Sequence, residues 1–505
     1  MQILQGITPW VQSLSIYGNQ SRRQLMFNEH CTKLDSIYIH NPPLNNLFDY
    51  AYWGHCQKLV KRNSPHLRSL KIKNWSGKRQ INLPLWCPIV ECSQHESLRS
   101  LSLISGSINK KFMASFWQVC LHLESLELEL IYVSLPPYTS ESKVVPTVQF
   151  PKLKNLALRT ILHATPLQQL NCLIGLCPML NTLEWAMPST VPFPVKEFTD
   201  YLAARTWPEL DSITIEGHSG YIDAKEYAAL LRATQLPLRV LDLQLDYFEM
   251  ESFTLLRQNH FKTLTKVNLS HARNSSSDPS SRPVDDVSAW VQEVLESCPS
   301  LKSINAKIIT AQDMMKGKPW VCLRLEEFNV MINMEFKERT LERGPKRPKY
   351  TEAEEYQCRA VYEQLGRLTQ LRRLNMFCFP WPPRPDIVPL PLELRMGLGQ
   401  LSRLKGMEMV GFYGSQDMRM VDLEWMLQHW PHLQNLYGEH LSYKRSKTFG
   451  NKCVRDFVLV SRLRPRRVSM TRIRGTDERE LLLFMKANDI TEVYDSDSDV
   501  SELED

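Results

Sequence analysis

The chain has 505 residues, of which 43% are hydrophobic and 23% charged, with a net charge of +6. That composition is ordinary for a folded domain and excludes a disordered or collagen-like chain. No run approaches the roughly 18 consecutive apolar residues of a membrane-spanning helix, and Met1–Gly6 lacks the basic region and apolar core of a secretory signal, so the expected compartment is cytoplasm or nucleus.

From the N-terminus one phrase keeps returning. It runs small residue or Pro, one residue, Leu, two residues, Leu, one residue, Leu or Ile. It is clear at Ser64-Pro65-His66-Leu67-Arg68-Ser69-Leu70-Lys71-Ile72, at Phe150–Leu158 and at Trp207–Ile215. Its first apolar position falls at Val11, Leu34 and Leu67 and on to Leu404 and Leu433. The fifteen phrases stand 23 to 37 residues apart, with one gap of 46 between Leu325 and Leu371, and a degenerate sixteenth lies at Pro465–Met470. A fixed period in this range marks a stacked leucine-rich repeat.

Within a phrase the second and third apolar residues are two apart. In a strand both face the core, while Ser69, Lys71 and Lys73 face away. Between phrases the period lengthens to that of a helix. Phe112, Phe116, Val119 and Cys120 form one stripe; Val287, Trp290, Val291, Val294 and Leu295 form a second, with Asp285-Asp286 as its cap; Val421, Leu423, Met426, Leu427 and Trp430 form a third. The reading is an α/β leucine-rich-repeat solenoid of about 15–16 repeats over residues 1–488, a right-handed horseshoe with parallel strands concave and helices convex.

Three insertions break the register: the polar 274–283, the charged 336–350, and 379–391 with six prolines and Trp381. Insertions in solenoids cluster on one face, often the binding face. Arg462, Arg464, Arg466, Arg467, Arg472 and Arg474 form a basic cluster, which reads as a solvated strand face and not as a nucleic-acid platform. Residues 489–505 hold eight acids and no base, leaving +14 on the rest (+6 overall, −8 in the tail). This tail reads as disordered, with Ser496 and Ser501 in an acidophilic-kinase pattern.

The residues offer no catalytic constellation. There is no phosphate-binding Gly-rich loop, and Gly217-His218-Ser219-Gly220 misses the nucleophile-elbow spacing by one residue. Cys87-x4-Cys92-x2-His95 fits no zinc spacing well, so no metal or other cofactor is expected. The twelve cysteines are scattered; Cys177 and Cys298 share one slot of the repeat and read as small buried residues. The expected concave face carries Lys71 and Lys73, then an acidic strip of Glu127, Glu129, Glu184, Glu216, Asp242 and Asp246, then Lys266, Arg373 and Glu408. A basic or polar protein partner is expected there, with Trp75, Trp185 or Trp381 as anchors.

Three segments carry a resemblance: Tyr362–Leu374 (YEQLGRLTQLRRL), Gly397–Lys405 (GLGQLSRLK) and Glu424–Leu433 (EWMLQHWPHL). With them the chain resembles the F-box and leucine-rich-repeat proteins expanded in early-diverging, Mortierella-like fungi. The resemblance implies a non-enzymatic substrate receptor of an SCF-like ubiquitin ligase. In such proteins an N-terminal F-box binds a Skp-type adaptor and through it a cullin, while the repeats hold the substrate. The opening F-box phrase, Leu-Pro-x-Glu-Ile/Leu, does not occur in Met1–Gln24. The alternative reading is a leucine-rich-repeat scaffold or regulator unrelated to ubiquitin.

Overall fold

The computed structural model describes residues 11–17, 31–41, 49–74, 96–107, 113–132, 149–159, 173–186, 194–204, 206–216, 224–234, 236–243, 249–270, 283–336, 350–376, 387–413, 416, 418, 420–442, 454–457, 466–467 and 490–491. They fall into two compact units, 1–243 and 244–505.

Unit 1 carries nine strands, β1 (Ser13–Tyr17), β2 (Ser36–Asn41), β3 (Ser69–Asn74), β4 (Ser100–Ser107), β5 (Ser125–Tyr132), β6 (Asn155–Arg159), β7 (Thr182–Ala186), β8 (Ser212–Glu216) and β9 (Val240–Leu243). Four helices are interposed: α1 (Asp49–Asn63), α2 (Met113–Cys120), α3 (Val195–Ala203) and α4 (Ala224–Ala233). The strands pair in parallel, each with its sequence neighbour, and the sheet is open. This is the α/β solenoid architecture of leucine-rich repeats.

The register explains why the phrase has its spacing. Leu70, Leu101, Leu126, Leu156, Leu183, Ile213 and Leu241 align as one apolar row, and Ile72, Leu103, Leu128, Leu158, Trp185 and Ile215 align as the next. Each is buried to within 3%. Every such side chain contributes about 1.5–3 kcal/mol by leaving water, and only the stacking of neighbours removes both faces of a row from solvent.

A turn precedes several of the strands. In it the carbonyl three residues ahead of the first Leu accepts that Leu's N–H, as Cys120 does from Leu123 (3.3 Å) and Cys298 from Leu301 (3.2 Å), whereas Leu67 donates to the Asn63 carbonyl four residues back (2.9 Å) and Leu34 to Asn63 Oδ1 (2.9 Å). The following two N–H groups go to the previous repeat, as Arg99 and Ser100 donate to the Arg68 carbonyl at 2.8 and 2.9 Å. The turn slot faces the core, which is why Cys31, Cys120, Cys177, Cys298 and Cys322 fill it as buried free thiols. Burial pushes their thiols up, to about 12 for Cys322, so they are unreactive.

Unit 2 repeats the scheme with α5 (Met250–Asn259), β10 (Lys266–Leu269), α6 (Pro283–Ser297), β11 (Ser303–Thr310), α7 (Ala311–Lys316), β12 (Glu327–Asn333), α8 (Glu352–Gly366), β13 (Arg373–Asn375), two 3-10 turns (Leu394–Met396 and Leu398–Arg403), β14 (Met409–Tyr413), α9 (Met420–His429) and β15 (Asn435–Ser442). β10 to β15 are parallel; β16 (Val454–Phe457) closes the edge antiparallel to β15. Of the degenerate last phrase the described residues are β17 (Arg466–Arg467), which pairs with β18 (Ile490–Thr491) in a separate sheet. Two residues of the tail expected to be disordered are thus in a strand. Helix α6 begins at Pro283, so Asp285 and Asp286 lie in its first turn and are not its cap; proline suits that first position because its missing N–H has no partner there. Helix α8 starts where Thr351 and Glu354 close a capping box, 2.7 and 3.3 Å.

The insertions differ in what they do. Residues 274–282 and 337–349 lie outside the described residues, but Phe336 and Tyr350, flanking the second, meet edge to face at 5.9 Å. The end of the proline-rich insertion folds back on the sheet. β13 stops at Asn375, and residues 387–390 run beside the end of β12 instead: Asn333 bridges Pro389, Met334 donates to the Val388 carbonyl (2.8 Å), and Asn333 Oδ1 accepts the Val388 N–H (3.0 Å). Tyr362, fully buried, donates its hydroxyl to the Pro391 carbonyl at 2.6 Å. No described helix is long and apolar enough to cross a membrane.

Candidate functional site

Residues paired in a parallel sheet share a face, so the register also fixes the open face of unit 1. One row there runs Tyr38, Lys71, Ser102, Glu127, Ala157, Glu184, Thr214 and Asp242. The next, two residues on, runs His40, Lys73, Ile104, Glu129, Arg159, Ala186 and Glu216.

Arg159 is the centre of this face. Ala157 puts only a methyl between the carboxylates of Glu127 and Glu184, and the guanidinium fills the gap. Its Nη1 donates to Glu127 Oε1 at 2.6 Å, its Nη2 to Glu184 Oε2 at 2.8 Å, and its Nε to the other oxygen of Glu184. The contact with Glu184 is a two-pronged fork, the strong geometry for a guanidinium and a carboxylate. Glu129 approaches Nη1 at 3.5 Å. Glu127 Oε2 also accepts from Ser102 Oγ and from Lys71 Nζ at 3.4 Å.

The electrostatics follow. Burial raises the Glu127 carboxyl, but the Ser102 hydroxyl and the Lys71 and Arg159 cations outweigh it and hold it below the usual carboxylate range. Hydrogen bonding to Glu184 pushes Arg159 up against the opposing effect of its own partial burial. Two cations face three carboxylates, so the cluster carries one net negative charge. The expected acidic strip is therefore a nearly balanced ion-pair network. Of the three acids, Glu129 stays most open, at 30% exposure against 20% for Glu127 and 19% for Glu184. At the β1–β2 end the face turns aromatic: Tyr38 and His40 stack at 6.0 Å, and Tyr17, 45% exposed, stands edge-on to both.

The other expected contact residues divide. Trp185 is no anchor. It occupies the third apolar position of its phrase, between Leu158 and Ile215, and is fully buried. Asp242 lies in the expected row but is only 5% exposed, because one methylene keeps its carboxylate near the sheet floor beside Thr214. Glu216 stands at the end of β8, aligned with Ala186. Asp246, Trp381 and Trp75 lie outside the described residues, as do Cys87, Cys92 and His95. Glu408 is not on the strand face; it precedes β14 and pairs with Arg372 at 3.8 Å. Among the described residues no group of three or more His, Cys, Asp or Glu is placed to hold a metal ion.

Arg159 itself was readable. It follows the third apolar residue of its phrase, as Lys73 and Glu129 do in theirs. Its reach to acids on both neighbouring strands was not, because that depends on Ala157 leaving the space. Neither protein-family models nor curated protein sequences show a match to this chain.

Proposed function

We propose that this chain is a non-enzymatic protein-recognition module in which the open face of β5–β7 holds a protein partner carrying a basic or polar patch. The observation behind this reading is Arg159, held in place by Glu127 and Glu184 while Glu129 beside it stays accessible. Charges fixed before binding give orientation and specificity without an ordering cost at the moment of contact. A partner's Lys or Arg meets Glu129, and its acidic or carbonyl groups meet the Lys71 side of the cluster.

The wider role proposed is substrate holding within an F-box-type ubiquitin ligase receptor of the cytoplasm or nucleus. It rests on the resemblance of 362–374, 397–405 and 424–433 alone. The test is affinity purification of the tagged chain, and of a form extended through any upstream reading frame, with Glu129→Lys beside each. Loss of a specific partner in Glu129→Lys supports the recognition face; unchanged recovery sinks it. Recovery of a Skp-type adaptor and cullin supports the ligase role. If neither form brings them down, the chain is a scaffold or regulator unrelated to ubiquitin.

A further inference from the structure

The open face of β1–β3 differs in kind from the cluster around Arg159. On β2 and β3 two ring–cation pairs stand side by side, since Tyr38 is the register partner of Lys71 and His40 that of Lys73. The two rings lie 6.0 Å apart with their planes 12° from parallel. Two steps along a strand set the two lysines about 7 Å apart, nearly the same spacing. On β1, Tyr17 is the partner of His40 and stands edge-on to His40 at 5.5 Å and to Tyr38 at 6.4 Å. At the other end of the same strands Ser13, Ser36 and Ser69 form one row. Their hydroxyls bond to none of the described residues, and each can donate to an oxygen laid across it.

The charges around this face have one sign. β1, β2 and β3 carry Lys71 and Lys73 and no acid. Among the described residues the first acid on the open face is Glu127 of β5, two strands beyond β3. It accepts from Lys71 at 3.4 Å, but also from Ser102 and Arg159, so it is shared with the neighbouring cluster. The Lys71 side chain stays 41% exposed. At the strand starts Arg68 and Arg99 line one hollow with Asp35 and Glu124, two cations against two acids. The cationic part of the surface is therefore β3, and its neighbours are rings.

That pairing narrows the ligand. An acidic side chain brings charge without a ring, and an aromatic one brings a ring without charge. A nucleotide brings both, and a polynucleotide repeats them unit by unit. Two ring–cation pairs in line match two successive nucleotides, with phosphates on the ammonium groups and bases against the rings. A duplex keeps its bases stacked inside, where the rings do not reach them.

We infer that the open face of β1–β3 binds single-stranded nucleic acid, its backbone along Lys71 and Lys73 and two successive bases against Tyr38, His40 and Tyr17. Ser36 and Ser69 donate to the adjoining phosphate. The basis is register: the rings and the lysines belong to different repeats, and only the stacking of β2 on β3 makes pairs of them. The site borrows Lys71 from the ion-pair network but uses neither Glu129 nor Arg159, so it stands or falls apart from the protein-binding face.

The experiment titrates the full chain against labelled oligo(dT) and oligo(U) strands by fluorescence polarisation at several salt concentrations. The wild type is compared with Tyr38→Leu and Lys73→Gln, which leave the Arg159 cluster intact. An abasic strand of the same length keeps every phosphate and loses every base, an arm that does not depend on any variant folding. Tyr38→Leu and the abasic strand are each expected to bind about tenfold more weakly, the factor of one lost stacking contact. Lys73→Gln is expected to make the slope of log affinity against log salt shallower by about 0.7, one phosphate contact. Four results would overturn the inference. They are no binding of either oligonucleotide at low salt, an abasic strand bound as tightly as the complete one, affinity and salt slope unchanged in both variants, or polyglutamate bound with the same dependence on Tyr38 and Lys73. The third would move nucleic acid to another part of the chain, and the fourth would make the occupant an acidic polypeptide.

Discussion

On β5–β7 the residue between the two apolar positions of the phrase is Glu, Ala, Glu; on β10–β13 it is Asn four times over. The backbone beneath is the same parallel ladder in both. In unit 1 the charged side chains are spent on one another through Arg159, whereas in unit 2 the same row carries neutral carboxamides. The repeat therefore sets where an open-face side chain stands, and a single position per repeat sets its chemistry. A charged face selects by sign and responds to salt, while an amide face reads shape and main chain and does not.

The largest expected effect lies in the core. Trp185→Ala removes a fully buried indole from the row shared with Leu158 and Ile215, and unit 1 is expected to lose about 3–5 kcal/mol. An unchanged thermal midpoint would return Trp185 to the surface and to the contact residues.

The second largest effect belongs to unit 2. His260, at the end of α5, is 1% exposed, and burial pulls its imidazole down to about 4. Because the folded value lies below the unfolded one, the unfolded chain takes up the proton first. Stability is full above about 6.5 and falls as pH drops toward 4, by up to about 3 kcal/mol. Urea midpoints across that window should fall for the wild type and stay flatter for His260→Gln; parallel curves would rule out His260 as the origin.

Arg159→Ala comes next and acts on unit 1. It leaves Glu127 and Glu184 facing each other, but the guanidinium is 35% exposed and solvent screens the loss, so about 1–2 kcal/mol is expected. The pH window is lower here. Glu127's carboxyl is held below its usual range, so its contribution is present above that range and disappears as pH falls through it. Arg159→Ala and Glu127→Gln should each flatten the urea midpoint between pH 5 and 3; slopes equal to the wild type would mean that the cluster contributes nothing to folding.

The smallest effect separates the faces most cleanly. Asn305→Ala and Asn329→Ala should change the melting free energy by less than about 0.5 kcal/mol, since neither amide holds the fold. A loss above 1 kcal/mol would make the row structural and erase the contrast with unit 1.

Much of this was legible because two periods, 2 and 3.6, alternate along the chain. They placed Leu70, Ile72 and their counterparts in the core and Glu127, Glu129 and Glu184 on the open face. Three things were not legible. Trp185 was weighed as an aromatic anchor although its phrase position is apolar, and position decides burial. The proline-rich insertion read as a loop, because nothing local shows that 387–390 occupies the place β13 vacates. The asparagine row was invisible one repeat at a time, since register is a property of neighbouring strands, and the bulge at Lys307 shifts it further along β11.

The most direct test of the central claim, that the strand faces are where this protein recognises others, is site-specific photo-crosslinking. A benzophenone amino acid is placed at Thr214 or Asn329 on the open faces, or at Tyr356 or Arg257 on α8 and α5, and the full chain is irradiated in extract of its native cells. Discrete crosslinked partners are expected from Thr214 or Asn329, reduced by Glu129→Lys for the first, and none from the helix positions. Crosslinks confined to Tyr356 or Arg257 would contradict it and move recognition to the helices.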